Sequence, residues 1–270
     1  MSKWNIMYIM NRLDKEIVER GLAPTRAKAQ ELIKNGDVKL NGKVVTKASL
    51  DVLPSDTIEI LDLTTLKYVS RAGLKLEKAI NTFGINFDGK NVMDIGSSTG
   101  GFTDCALQNG ARHVVAVDVG TNVMHPSLRD NPKITLLEQT NIKTLDNRYF
   151  EDIDIIVIDV SFISLSKIFE KIFSAQIKCD IMALIKPQFE CGKAIADKFK
   201  GVILNPKIHS EIIQNVTTMA SEYGFNLINL SFSPIKGGDG NIEYISYFSN
   251  QQEPNDINIK SIINQVFDKK

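Results

Sequence analysis

The fold is decided at residues 92–102, which read Val92-Met93-Asp94-Ile95-Gly96-Ser97-Ser98-Thr99-Gly100-Gly101-Phe102. An apolar strand here ends in a glycine-rich turn that opens a helix. Glycines at such a turn let backbone N–H groups approach a ligand at the carboxyl end of the strand. The spacing is G-x-x-x-G-G and no Lys-Ser/Thr follows, which argues against a dinucleotide pyrophosphate site and a P-loop. Taken alone, the turn is also compatible with an ordinary tight connection.

An acidic residue ends the next apolar run. Val114–Val117 is followed by Asp118, which lies 24 residues after Asp94. An acid at the tip of a second strand is placed to accept hydrogen bonds from ribose hydroxyls. The alternative is that Asp118 only caps a turn before Gly120. Together, the turn and the acid indicate a nucleoside ligand without a bound pyrophosphate, and S-adenosylmethionine is such a ligand.

Beyond residue 67 the sequence alternates between strand and helix patterns, which is typical of a parallel sheet covered by helices. The apolar runs predict seven strands, at Asn91–Ile95, His113–Val117, Ile134–Leu137, Ile153–Ile158, Ile181–Ile185, Phe225–Ser231 and Glu243–Phe248. Amphipathic runs predict helices at Ala72–Phe83, Gly101–Asn109, Leu165–Phe173 and Lys207–Tyr223. The larger part of the chain is therefore expected to have an α/β fold with a mostly parallel sheet. The tail after Gln251 has the pattern of one short amphipathic helix.

The N-terminal part has a different pattern and a local positive charge. Residues 20–50 contain seven basic residues and two acidic ones. Thr25 is a helix cap for Arg26–Asn35, and Gly36 is a stop. The pair Asn41-Gly42 between Val38–Leu40 and the following valines is a hairpin signal, and another strand is expected at Thr57–Leu61. We predict a small α+β domain with a basic face, which is either a site for RNA phosphates or a solvated surface without a partner.

The composition excludes several classes of protein. The 270 residues are 43% hydrophobic and 24% charged with a net charge of zero, as in ordinary globular proteins, so any basic surface must be local. Three unevenly spaced cysteines fit neither a disulfide framework nor a zinc site. No run resembles a signal peptide or approaches the ~20 apolar residues of a membrane span. A cytoplasmic protein is expected.

Four charged residues stand where an α/β fold gathers its functional groups. Lys75 lies on the helix before the first strand, Asp159 and Lys186 follow the fourth and fifth strands, and Glu243 opens the last. Groups at the carboxyl ends of parallel strands converge on the ligand crevice. Each residue also has a simpler interpretation as a surface lysine, a turn aspartate or a surface glutamate. Lys186 fits that interpretation least, because it directly ends an apolar strand.

These residues lie in motifs that resemble the TlyA family of ribosomal RNA 2′-O-methyltransferases, historically labelled hemolysins. The resemblance spans nearly the full chain. Residues 1–62 are similar to an RNA-binding domain of the ribosomal protein S-four type, residues 63–67 to a linker, and residues 68–250 to an FtsJ-like methyltransferase domain, with a tail at 251–270. The motifs are Ser70-Arg71, Lys75-Leu76, Asp94–Phe102, Asp159-Val160-Ser161-Phe162, Lys186-Pro187-Gln188-Phe189-Glu190 and Gly237-Gly238-Asp239-Gly240-Asn241-Ile242-Glu243. The resemblance implies a Rossmann-like class I methyltransferase fold with a seven-stranded, mostly parallel sheet.

The resemblance also implies a reaction and its residues. The reaction is methylation of a ribose, at a cytidine, in ribosomal RNA or ribosomal subunits, with S-adenosylmethionine as cofactor, without a metal and by a monomer. The catalytic set is Lys75, Asp159, Lys186 and Glu243. Cofactor binding is expected from Asp94, Gly96, Ser97, Ser98, Gly100, Gly101, Phe102, Asp118, Val119, Asn141 and Asp159. RNA binding is expected from Arg12, Arg26, Lys28, Lys34 and Lys43, with Arg26 and Lys28 exposed on the first turn of their helix.

Such a set is chemically suited to the reaction. A ribose 2′-hydroxyl is rarely ionised at neutral pH, and a lysine removes its proton only if burial or a second cation favours the neutral amine. The sequence predicts Lys186 as the base, with the other three residues orienting and tuning it. Two other functions stay open, a membrane-active hemolysin and an RNA-binding protein without catalysis. Residues 192–201, with three lysines between two glycines, are either an RNA-contacting flap or a solvated loop.

Overall fold

The computed structural model describes residues 10–63, 66–237 and 240–268. The chain divides into two compact units, residues 1–67 and 68–270. The first unit has the α+β character that the sequence predicts. Its elements are β1 (Asn11–Arg12), α1 (Leu13–Glu19), α2 (Arg26–Asn35), β2 (Val38–Leu40), β3 (Lys43–Val44), β4 (Asp51–Val52) and β5 (Ile58–Ile60).

Local signals explain most of the first unit. Thr25 caps α2 by accepting a hydrogen bond from the backbone N–H of Lys28, and Gly36 ends the helix in the left-handed conformation. The strands β3, β2 and β5 form an antiparallel sheet in that order, with the hairpin turn at Asn41-Gly42. The pairing of β1 with β4 was not predicted, because strands of two residues carry no periodicity. A core of apolar side chains from α1, α2 and the strands holds these elements together.

The second unit is built on one seven-stranded sheet, and it confirms the predicted fold class. Its strands are β6 (Asn91–Ile95), β7 (His113–Val117), β8 (Ile134–Leu137), β9 (Ile155–Ile158), β10 (Asp180–Ile185), β11 (Asn226–Phe232) and β12 (Tyr244–Ser249). Their order across the sheet is β11-β12-β10-β9-β6-β7-β8. Among these described strands, β12 alone runs antiparallel to both of its neighbours, which accounts for the mostly parallel character of the sheet.

Helices cover both faces of the sheet. They are α3 (Ala72–Phe83), α4 (Gly101–Gln108), α5 (Pro126–Arg129), α6 (Leu165–Ser174), α7 (Pro187–Glu190), α8 (Lys193–Lys198), α9 (Pro206–Glu222) and α10 (Ile259–Phe267). The predicted long helices and the helix in the tail are present. The sequence did not predict α5, α7 or α8, because helices of four to six residues are too short for a periodic signal. Within the described ranges, no helix is long and apolar enough to cross a membrane.

The order of the strands determines where a ligand can bind. The chain starts the sheet with β6 in the interior, builds β7 and β8 on one side, and then returns to add β9 and β10 on the other. The strand order therefore reverses between β6 and β9, and such a switch point opens a crevice at the carboxyl ends of the strands. Because β12 is antiparallel, Glu243 at its start lies at this same edge. The glycine-rich turn after β6 and Asp159 after β9 flank the crevice.

Candidate active site

The turn after β6 fits tightly against the neighbouring strand end. Gly96 has a φ of +84°, and a Cβ atom there would lie 2.6 Å from the backbone oxygen of Asp159. Gly100 has a φ of +92°, and a Cβ atom there would meet the Met124 sulfur at 2.5 Å. Both positions need glycine for conformation and for space. Gly100 borders neither of the two cavities at this edge. A side chain there would collide with the packed side chain of Met124 and would not enter a cavity.

Two adjoining cavities open around the turn. The larger, of about 700 Å³, is bordered by all four residues of the predicted catalytic set and by most of the glycine-rich turn. The second, of about 520 Å³, is bordered by Asp118, Val119 and Asn141. Gly96, Ser98 and Asp159 border both cavities, so the two are halves of one crevice. The structure thus brings together the residues that the sequence assigned to cofactor and catalysis, except for Gly100 and the deeply buried Asp94.

The four charged residues of the predicted catalytic set form a continuous chain of ion pairs. Lys75 Nζ lies 2.7 Å from Glu243 Oε2 and 3.4 Å from Asp159 Oδ2. Asp159 Oδ1 lies 2.5 Å from Lys186 Nζ. Lys75, Lys186 and Glu243 are all less than 10% exposed. Burial of three charged side chains carries a large desolvation penalty, and such arrays are common at functional sites.

The two lysines have different surroundings. Lys75 contacts two carboxylates, whereas Lys186 pairs with Asp159 and lies 3.4 Å from the Ser161 hydroxyl. Burial lowers the pKa of Lys75, but the attraction of Asp159 and Glu243 outweighs burial, so that its pKa is raised. Lys75 is therefore held as a cation.

Asp94 is buried beneath the turn and carries an unsatisfied atom. Its Oδ2 accepts a hydrogen bond of 2.6 Å from the Thr103 hydroxyl. Burial raises its pKa to about 7, although the bond from Thr103 opposes the shift. Asp94 Oδ1 and the nearby Ser97 Oγ are both buried and have no hydrogen-bond partner among residues 10–63, 66–237 and 240–268. Buried polar atoms are nearly always paired, so these two are suited to a ligand that donates hydrogen bonds.

Asp118 caps the turn before Gly120, which is one of the two roles that the sequence left open. Its Oδ1 accepts from the backbone N–H of Gly120 at 2.7 Å, which is the turn cap. Its Oδ2 accepts from the backbone N–H of Ser98 at 2.8 Å and thereby ties the second strand end to the glycine-rich turn. Each carboxylate oxygen can accept a further hydrogen bond. The neighbouring Val119 is 72% exposed and offers an apolar surface at the cavity border.

Several residues that border the larger cavity were missed as site residues, although they lie within the quoted motifs. Phe162 is 91% exposed, has a φ of +65° and packs against Phe189 with ring centroids 4.9 Å apart. Asn241 is buried and binds the backbone of Gly201 and Ile203. The sequence signal for Phe162 was its place three residues after Asp159. Gly238 and Asp239, which belong to another quoted motif, lie outside the described residues.

The predicted RNA-binding residues have mixed environments in the first unit. Lys34 and Lys43 are exposed. Arg12 and Arg26 both pair with the fully buried Asp14, at 3.0 and 2.9 Å, while about half of the Arg26 side chain stays exposed. The expected exposure of Lys28 is wrong.

Lys28 is 7% exposed and pairs with Glu31 at 2.9 Å. It precedes Ala29 on α2 and lies at the border of the apolar face of this helix. The aliphatic part of its side chain is therefore covered, while its ammonium group pairs with Glu31 one turn further along the helix.

Known proteins are similar to this chain over most of its length. Hemolysin A of Brachyspira hyodysenteriae is 41% identical, with 88% of this chain and 99% of the relative covered. The 16S/23S rRNA (cytidine-2′-O)-methyltransferase TlyA of Mycobacterium tuberculosis is 36% identical, with 90% and 91% covered. A solved structure from Streptococcus thermophilus, named as a hemolysin, has a TM-score of 0.76 at 36% identity and covers 96% of both chains.

The family matches divide the chain at about the same place as the two compact units of the structure. Residues 11–58 match the S4 domain, and residues 68–250 match the FtsJ-like methyltransferase family. The second match contains the glycine-rich turn, both cavities and the four ion-paired residues. With its fold, its crevice and this match taken together, the chain belongs to the FtsJ-like methyltransferases, as the resemblance of its motifs predicted.

Proposed function

We propose that this protein transfers the methyl group of S-adenosylmethionine to a ribose 2′-hydroxyl of ribosomal RNA, at a cytidine. The observation that carries the proposal is the chain of ion pairs Glu243–Lys75–Asp159–Lys186 at the border of the larger cavity. It places a lysine beside a space that is continuous with a nucleoside-sized cavity. The M. tuberculosis relative is named for this reaction on 16S and 23S rRNA.

The residues around the turn fit S-adenosylmethionine. Ser97 Oγ, which lacks a partner within the described ranges and whose residue borders the larger cavity, is an acceptor suited to the ammonium group of the methionine part. Asp94 Oδ1, which also lacks a partner there, lies beneath the turn and borders neither cavity. Asp118 suits the ribose hydroxyls, and Asn141 with Val119 suits the adenine end of the second cavity. Gly96 keeps this floor free of side chains. When bound, the cofactor supplies a methyl group on a positively charged sulfur, and a positive charge near a lysine favours the neutral amine.

Within the charged set we assign the proton transfer to Lys186. Lys75 is held as a cation by two carboxylates, so it is unsuited to accept a proton. Lys186 shares one of these carboxylates and lies at the cavity border. As a neutral amine it would accept the 2′-hydroxyl proton, which makes the ribose oxygen nucleophilic toward the methyl group that the bound cofactor would supply. Asp159 then pairs with the new ammonium, and Glu243 fixes Lys75 so that Asp159 stays in place.

The substrate nucleotide needs a surface for its base. The exposed ring of Phe162, backed by Phe189, lies beside Lys186, whose Nζ is 5.8 Å from the Phe189 ring centroid. Bases of single-stranded or flipped-out nucleotides stack on such rings. The S4 domain supplies a basic surface for the surrounding RNA, with Lys34, Lys43 and the outer edge of Arg26 exposed. A ribosomal substrate would place the activity in the cytoplasm.

The test is methyl transfer from labelled S-adenosylmethionine into ribosomal subunits that lack the modification. Wild-type protein should label ribose 2′-oxygens, identified by mass spectrometry of nuclease digests. Lys186→Ala should lose about 10²–10⁴ in rate, the usual contribution of a general base, while calorimetry shows retained cofactor binding. Lys133→Ala, an exposed lysine after α5, is the matched control and should keep full activity. Near-wild-type turnover by Lys186→Ala would refute the assignment.

A further inference from the structure

Glu190 joins the two loops that carry the active-site lysine and aspartate. It lies at the end of α7, four residues after Lys186. Its Oε2 accepts a hydrogen bond from the Ser164 hydroxyl at 2.8 Å, and its Oε1 accepts from the backbone N–H of Leu165 at 2.8 Å. Both partners belong to the loop that follows Asp159 and to the start of α6. One carboxylate therefore connects the end of β10 with the end of β9.

The connection does not serve only to cap a helix. Ser164 already caps α6, because its Oγ accepts a hydrogen bond from the backbone N–H of Ser166. Burial raises the pKa of Glu190, although the bonds from Leu165 and Ser164 oppose the shift. A carboxylate in a desolvated position destabilises the fold unless its hydrogen bonds compensate. We therefore attribute the buried carboxylate of Glu190 to the connection that it makes between two loops, and not to the capping of α6 alone.

These two loops hold paired groups on this side of the cavity. The first carries Asp159 and Phe162, and the second carries Lys186 and Phe189. The charged groups meet at 2.5 Å and the rings at 4.9 Å between centroids. Phe162 adopts a φ of +65°, which is strained for a residue other than glycine and persists only where the surroundings fix the loop. A shift of one loop against the other would change both contacts together.

We propose that Glu190 is a positioning residue, whose bonds to Ser164 and Leu165 fix the separation of Lys186 from Asp159 and of Phe189 from Phe162. This inference rests on the proposed function for its kinetic consequence. The side-chain hydrogen bonds described for Glu190 go to Ser164 and Leu165 and not to the charged side chains of the ion-paired set, so the carboxylate acts through the loops. A misplacement of about 1 Å in reacting groups costs up to about 100-fold in rate, so removal of the clamp should lower kcat substantially.

The experiment compares Glu190→Ala with Glu190→Gln. The glutamine keeps the shape, its amide oxygen can accept from Leu165 N–H, and its amide N–H can donate to the Ser164 hydroxyl. Hydrogen exchange of the intact protein should show faster exchange at residues 159–165 in Glu190→Ala, with protection elsewhere unchanged. In methyl transfer, kcat should fall about 10- to 100-fold in Glu190→Ala, more than the KM for cofactor changes. Glu190→Gln should recover most of this loss.

A double-mutant cycle with Ser164→Ala completes the test. If the two residues act as one clamp, the fold-loss of kcat in the double variant should be smaller than the product of the fold-losses in Glu190→Ala and Ser164→Ala. Unchanged exchange at residues 159–165 in Glu190→Ala would overturn the clamp. Faster exchange with an unchanged kcat would reduce Glu190 to a stabilising residue and overturn the positioning role. If the wild-type protein transfers no methyl group, the proposed function fails, while the exchange data still decide the clamp.

Discussion

Replacing Gly96 by alanine should damage the crevice through a contact that the structure defines. A Cβ atom at this position would lie 2.6 Å from the backbone oxygen of Asp159 and 3.0 Å from Val160 Cγ1. The first atom is backbone and cannot rotate away. Gly224 provides a matched control, because its φ of +79° is close to the +84° of Gly96 and no described residue lies within 4 Å of a Cβ atom there. The two variants share the conformational strain and differ in the collision.

The magnitudes follow from these two contributions. A left-handed conformation costs a residue other than glycine about 1–2 kcal/mol, and both variants carry this cost. The distance of 2.6 Å is about 0.8 Å shorter than the 3.4 Å at which ordinary contact begins. Overpacking of this kind costs about 1–3 kcal/mol more. We therefore expect the free energy of unfolding to fall by about 1–2 kcal/mol in Gly224→Ala and by about 2–5 kcal/mol in Gly96→Ala.

Function separates the two variants further. Relief of the collision moves the Asp159 backbone by a large part of an ångström, which should lower the methyl-transfer rate by up to about 100-fold in Gly96→Ala. Gly224→Ala should keep its rate and its cofactor affinity. Urea unfolding gives the stabilities, calorimetry the affinity for S-adenosylmethionine, and labelled methyl transfer the rate. Equal loss of stability in the two variants, with an unchanged methyl-transfer rate in Gly96→Ala, would refute the reasoning.

Three further predictions concern the cofactor, pH and RNA. Asp118→Ala should weaken S-adenosylmethionine binding by about 1–3 kcal/mol, or roughly 5- to 150-fold in Kd, and an unchanged calorimetric affinity would remove Asp118 from the site. The folded-state pKa of Asp94 is raised to about 7, above its unfolded value, so the fold favours its protonated form. Stability should therefore decline as pH rises from about 4 to about 7, and Asp94→Asn should show a smaller decline in urea titrations. Replacing Lys34 and Lys43 by alanine should reduce the slope of log affinity against log salt by roughly 0.7–0.9 for each RNA phosphate that these lysines neutralise, without loss of stability. Arg26→Ala should also destabilise the first unit, because it removes one of the partners of Asp14. Salt slopes equal to wild type in Arg26→Ala and in the variant that lacks Lys34 and Lys43 would exclude this basic face from RNA binding.

Local patterns were sufficient to predict much of the fold. The bounds of α3 and of β6, β7 and β8 agree with the sequence expectation, because each is an apolar or amphipathic run ended by a polar residue or a glycine. The glycine-rich turn was predictable because its spacing has a steric cause, which the positive φ of Gly96 and its closeness to Asp159 now show.

The sequence did not predict contacts that depend on tertiary packing. Lys75 and Glu243 lie 168 positions apart, and no local signal shows that they meet at 2.7 Å. Their positions in the pattern of strands and helices placed both near the crevice, and the family resemblance grouped them in one set, but their pairing depends on the antiparallel direction of β12. The burial of Lys28 was missed because a helix of ten residues does not define the border of its apolar face to within one position. The role of Glu190 as a bridge needed the positions of two loops at once.

The antiparallel last strand has a consequence for how the enzyme matures. Lys75 comes from the first helix of the catalytic fold, whereas Glu243 arrives with the strand that enters the sheet last, between β10 and β11. During synthesis, the nascent chain holds the complete cofactor turn long before it holds a second carboxylate for Lys75. Domains fold as units while the ribosome extends them. The larger cavity, which Asn241 and Glu243 border, is thus completed only when the last strand has joined the sheet.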